Sequence, residues 1–204
     1  MKYKDIFFIV DLSVNAVMHA NEISGIIKDI VRSIEDITYN IWNIHVNVLT
    51  FDGSVFSGKR NILSRSASVG FFEPPELKPG TVPSHSSTAE GAFRAAFDMG
   101  VSDYKEWLLG GLFATPAQII YISDGSFRYT AGSDRKNRVR SAYIDEMKSL
   151  IKSTGISLKV LALSTRSMEA DEKELMSIAG SPESLLHITP LNNPYKQFFY
   201  DMFN

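Results

Sequence analysis

The sequence predicts an α/β fold: a doubly wound, mostly parallel, six-stranded sheet flanked by helices on both faces. Two observations carry that expectation. Short, continuous apolar runs bounded by turn residues suit strands covered on both faces. Between them lie charged segments whose apolar residues recur at three- and four-residue steps, the spacing of amphipathic helices. Strands that alternate with helices imply right-handed βαβ units and an open sheet.

The strand runs are DIFFIVDL (5–12), NIHVNVLTF (43–51), AQIIYISD (117–124), SLKVLALS (157–164) and LLHIT (185–189). A first helix is expected over 17–39, where Ile23, Ile26, Ile27, Ile30, Ile34 and Ile37 repeat among charges. Residues 88–99 follow with Ala92, Ala95, Ala96 and Met99, then 140–154 with Ile144, Met147, Leu150 and Ile151, then 168–179 with Leu175, Met176 and Ile178. The stretch 52–87 breaks this rhythm. Asp52-Gly53 reads as a hairpin turn into a short edge strand. The prolines of FFEPPELKPGTVPSHSS make a rigid loop, because they can join neither a helix interior nor a central ladder. In 100–116, the apolar Trp107, Leu108 and Leu109 are expected to pack a helix end. No repeat or linker divides the chain, so one domain is expected over residues 1–204.

Composition narrows the functional classes. Hydrophobic residues make up 44% and charged residues 22%, which supplies a large core and a soluble surface. A formal net charge of -2 argues against bulk attraction to nucleic acid or to anionic membrane. The absence of cysteine excludes disulfides and thiolate metal sites and fits a reducing compartment. The opening MKYKDIFFIVDLS has an apolar run broken by Asp11, too short for a signal-peptide core or a membrane span. It reads as a strand, and the protein as cytoplasmic.

In an open α/β sheet, ligands bind beyond the carboxyl ends of the strands, where strand order reverses. Three segments offer oxygen ligands at such places: Asp11, Ser13 and Asn15 in FFIVDLSVN, Thr88 in SSTAEG, and Asp124 in YISDGS. Residues 11, 13 and 15 alternate, so their side chains can converge on one point. With Thr88 and Asp124 they form a set of hard oxygens that suits Mg²⁺, Mn²⁺ or Ca²⁺ rather than zinc or copper. Taken singly, each segment has a plainer reading as a helix cap or a turn. The combination and its order are what point to a metal.

That combination resembles the metal-ion-dependent adhesion site of von Willebrand factor type A domains, whose pattern is DxSxS, then a threonine, then an aspartate. Within that superfamily the chain is similar to the bacterial tellurium-resistance protein TerY group. LTFDGS (49–54), FFEPPELKPG (71–80), STAEGAFRAAF (87–97), YISDGS and the tail ELMSIAGSPESLLHITPLNNPYKQFFYDMF carry the likeness in order along nearly the whole chain. The resemblance implies a metal set of Asp11, Ser13, Thr88 and Asp124. Asn15 stands where the pattern has serine, and Val14 where it has a small residue. An asparagine carbonyl can ligate a hard cation, but its length crowds a small Mg²⁺ octahedron.

Enzyme readings find little in the sequence. His19, His45, His85 and His187 show no metal-ligand spacing, and there is no GxSxG elbow, P-loop or dinucleotide GxGxxG. His45 and His187 fall in strands as core or edge histidines. A hydrolase would need His85 or Glu90 as its base. In RYTAGSDRKNRVR, Arg128, Arg135, Lys136 and Arg138 read as a solvated loop, or alternatively as a docking patch for an anionic partner. The expected function is therefore metal-assisted recognition of a protein partner that supplies a carboxylate or phosphate. The resemblance places it in a bacterial or phage stress or tellurium-resistance system beside kinase- or phosphatase-like partners. The alternatives are a metal-free scaffold with a degenerate site and a metal-dependent hydrolase.

Overall fold

The first strand, β1 (Lys2–Asp11), is buried from Lys4 onward. It leads through α1 (Ala20–Thr38) to β2 (Trp42–Phe51) and β3 (Phe56–Leu63). There follow α2 (Ala89–Leu109), a two-residue β4 (Phe113–Ala114) and β5 (Gln118–Ser123). The chain continues through α3 (Ser141–Thr154), β6 (Ser157–Leu163) and α4 (Glu172–Ala179) to a 3₁₀ turn (Pro182–Ser184) and β7 (Leu185–Ile188). This computed structural model describes residues 2–11, 20–38, 42–51, 56–63, 89–125, 141–164 and 170–188.

Six strands lie in the order β3-β2-β1-β5-β6-β7, and β4 pairs with the first residues of β1. β1 is parallel to β2 and β5, and β5–β6 and β6–β7 are parallel as well. The exception is the edge pair β2–β3, which is antiparallel with Phe51 opposite Phe56. Strand order therefore reverses between β1 and β5. Crossovers that step in opposite directions while staying right-handed must pass over opposite faces. The core divides accordingly. Ile6, Phe8 and Val10 of β1 pack with Ile23, Ile27, Ile30 and Ile34 of α1. Phe7 and Ile9 point the other way and pack with Phe93 and Phe97 of α2, Met147 of α3 and Ile178 of α4.

The strand boundaries agree with the apolar runs to within a few residues. Two expectations change. The edge strand β3 is eight residues long rather than short. The second helix does not end at residue 99 but continues to Leu109. That extension leaves Leu108 and Leu109 largely in solvent, the latter 90% exposed, and Phe113 beyond them is 77% exposed. Trp107 alone of the three residues turns inward, with its ring 5.6 Å from that of Tyr3. The reason is helical geometry: three consecutive residues span about 200° of the helix surface, so they cannot all face the sheet. At Gly100 α2 lies tight against its neighbours. A Cβ there would lie 2.8 Å from the Cβ of Ala117 and 3.2 Å from the Phe7 ring.

Lys4 is the one cation in the buried length of β1, and desolvation pushes its ammonium from 10.5 down to about 8. The folded state thus disfavours the charged form, by an upper bound of about 3 kcal/mol. The unfolded chain keeps that proton up to the higher value. Stability should therefore rise with pH between about 8 and 10.5, and the penalty is fully present below 8. Lys4→Met is expected to raise the denaturant midpoint at pH 7 and to lose that advantage above pH 10.5. A midpoint that is unchanged or lower at pH 7 would show that the ammonium is well accommodated.

Candidate functional site

The switch point between β1 and β5 sets two carboxylates side by side. Asp11 is the last residue of β1, Asp124 follows the last residue of β5, and both are fully buried. The register pairs Val10 with Ile122, so Asp11 lies level with Ser123. The Ser123 hydroxyl donates to Asp11 Oδ2 at 2.8 Å and accepts from the Gly125 N–H at 2.9 Å. One short side chain thus ties the end of β1 to the turn that carries Asp124.

A second tie fixes that turn from the other side. The Asp171 N–H donates to the Asp124 carbonyl at 2.7 Å. Asp171 is also the N-cap of α4, accepting from the Glu174 N–H at 3.1 Å. Gly125 makes the approach possible. It has φ +74°, and a Cβ there would fall 2.9 Å from the Asp171 carbonyl oxygen and 3.0 Å from Leu175 Cγ. Glycine is the residue that enters this left-handed conformation without cost.

α2 comes to the same end. Gly100 lies against Phe7, and α2 starts eleven residues earlier, about 16 Å back along its axis. Asp11 lies four residues beyond Phe7, about 13 Å along β1. The first turn of α2, entered at Ala89, is therefore level with the two carboxylates. Of the residues predicted for the metal, Asp11 and Asp124 are brought together here. Ser13, Asn15 and Thr88 lie outside the described residues, as do His85 and the basic Arg128, Arg135, Lys136 and Arg138.

The donor set fits a hard cation. Fully buried carboxylates are sustained by hydrogen bonds, ion pairs or metal coordination, and two of them from adjacent strand ends offer the charge that a divalent ion needs. Ser123 has no place in the sequence pattern of the site. It stood in the quoted YISDGS, but its role depends on a register between strands 112 residues apart.

No family model and no curated protein matches the sequence. Solved structures do match the fold. A von Willebrand factor type A protein from Catenulispora acidiphila superposes with a TM-score of 0.51 at 11% identity, over 98% of this chain and 42% of that one. The fold is that of a von Willebrand factor type A domain. The pilus adhesin SpaC from Lactobacillus rhamnosus GG, in its open conformation, gives 0.59 at 12% identity over 99% of this chain. Manganese-loaded TRAP protein from Plasmodium vivax gives 0.55 at 13% identity over 96%. The chain spans 29% of the SpaC chain and 71% of the TRAP chain, so it corresponds to one part of larger proteins. In a type A fold the reversal between β1 and β5 is where Asp11 and Asp124 stand.

Replacing Gly125 by alanine should cost about 1–3 kcal/mol, from the left-handed backbone together with the contacts at Asp171. The loss is read as a lower denaturant midpoint, and it should exceed that of Gly111→Ala. Gly111 has φ +74° with open space around it, so the difference isolates the packing of the turn against α4.

Proposed function

We propose that this chain is a metal-ion-dependent protein–protein interaction module, and that Asp11 and Asp124 anchor its ion. The observation that carries the reading is the burial of these two carboxylates at neighbouring strand ends, at the strand-order reversal of a type A fold. Ser13, Asn15 and Thr88, the other oxygen-bearing residues of the sequence pattern, would complete the set. When bound, Mg²⁺ or Mn²⁺ supplies a position for a carboxylate or phosphate oxygen from a partner. The chain's own part is to hold that place rigid. Ser123 orients the Asp11 carboxylate, and the Asp171 backbone with Gly125 holds the Asp124 turn. Arg128, Arg135, Lys136 and Arg138 follow that turn in sequence and would favour an acidic or phosphorylated partner.

The reading is one of binding rather than turnover. Among the described residues that gather at this end, none is a histidine, and a hydrolase would have to recruit His85 or Glu90. The similarity to the TerY group favours a bacterial or phage stress-response setting with kinase- or phosphatase-like partners, in the cytoplasm. No helix among the described residues is long and apolar enough to cross a membrane.

A second reading has its own observation. The Ser123 hydroxyl already bonds Asp11 Oδ2, so protein donors alone can satisfy part of the site. The chain would then be a scaffold whose partner binding ignores chelators.

Calorimetric titration of Mg²⁺ and Mn²⁺ separates the two. The first reading expects a saturable isotherm near one ion per chain for the wild type, weakened at least tenfold in Asp124→Ala. Negligible heats for both proteins would overturn it and leave the scaffold.

A further inference from the structure

The opposite end of β1 carries a second polar group in an apolar setting. Asp5 is 1% exposed and pairs in register with His45 of β2. Along strands, alternate residues share a face, so Asp5 and Phe7, and His45 and Asn47, all look toward α2. From α2, Asp103 reaches the same place. One ligand atom each from Asp5, His45 and Asp103 lie within 4.8 Å of one another.

Two features mark this as a prepared site. His45 Nδ1 stands 3.6 Å from Asp5 Oδ1, longer than a good hydrogen bond. Donors around a tetrahedral zinc sit roughly 3.3 Å apart, given ligand distances of about 2.0 Å. The pair is thus spaced nearly as zinc ligands are. Independently, Asn47 is 1% exposed and directs its carboxamide at the cluster, its Nδ2 donating to Asp5 Oδ1 at 3.3 Å. Its Oδ1 is buried with no hydrogen-bond partner among the described residues. A buried carbonyl oxygen in that state lacks about 1–3 kcal/mol of interaction that a cation can restore.

An aromatic ring forms one wall. The Trp107 ring stands edge-on to the His45 imidazole, with centroids 5.0 Å apart, and holds its plane. His45 and Asp103 are half-buried, which leaves an ion a way in.

We propose that Asp5, His45 and Asp103 form a second metal site, of zinc type, with the Asn47 carboxamide bonded to its Asp5 ligand. One imidazole and two carboxylates are a mixed nitrogen and oxygen set, which selects a borderline ion such as Zn²⁺ over Mg²⁺. The ion cross-links β1, β2 and α2 at the amino-terminal end of the sheet. The site is six residues from Asp11 along β1, about 20 Å away, and does not depend on the carboxylates at the switch point.

The test uses the full chain in an Asp124→Ala background, which removes the switch-point ligand. Zn²⁺ is titrated by calorimetry, and Co²⁺ is added as a spectroscopic stand-in. The expected result is one Zn²⁺ per chain, a higher Tm on loading, and visible Co²⁺ bands of tetrahedral intensity. Adding Asp103→Asn should weaken Zn²⁺ at least tenfold and abolish the bands, with an unchanged circular dichroism spectrum. His45→Gln serves as the second variant, with the same loss expected. Absence of Zn²⁺ binding in the Asp124→Ala chain, or binding that survives both substitutions, overturns the proposal. Loss of Mg²⁺ or Mn²⁺ binding alone would bear only on the switch-point site.

Discussion

The structure depends on the complete burial of one strand. From Ile6 to Val10, β1 has a strand paired on each side and a helical layer on each face, and burial extends from Lys4 to Asp11. Phe7 and Phe8 point to opposite layers, so adjacent residues of one strand belong to both halves of the core. Burial of this kind is favourable for the apolar middle, at about 1.5–3 kcal/mol per large side chain. It is unfavourable for the charges at the ends. Lys4 shows the effect directly, in an ammonium whose proton is held less tightly than usual. Asp5 and Asp11 meet the same cost with organised partners, Asn47 and His45 at one end and Ser123 at the other.

Both candidate sites therefore have one origin. A parallel strand at the centre of a sheet must end somewhere, and its polar termini are where low dielectric meets available donors. At the carboxyl end, reversal of strand order opens the crevice in which ligands bind. At the amino end, the same helix that covers Phe7 continues past the sheet and brings Asp103 and Trp107 over His45. α2 spans the full length of β1 and so takes part in both.

The sequence carried the strands well, because continuous apolar runs and burial on both faces are two expressions of one constraint. The isoleucine stripe of α1 was legible for the same reason: Ile23, Ile26, Ile27, Ile30 and Ile34 are all in the core. The end of α2 was not. After Met99 the apolar stripe gives way to Asp103, Lys105 and Glu106, and the helix persists because its next inward contacts are polar and aromatic. The exposed Leu108 and Leu109 misled for the mirror reason, since their hydrophobicity does not show which way they face. Of the switch-point site, the aspartates were legible from FFIVD and YISDG, whereas the part of Ser123 was not, because hydroxyls at strand ends are common.

By itself the sequence determined the α/β class, the positions of the buried strands and the two aspartates that end β1 and follow β5. These follow from local periodicity and from chain chemistry within a few residues. Tertiary structure alone decided that Asp11 receives its hydrogen bond from Ser123, that Gly125 fits beneath Asp171, and that Asp5, His45 and Asp103 meet. Each of those contacts joins segments 40 or more residues apart. Their distance in space is set by strand register and helix crossing, which no local pattern in the chain encodes.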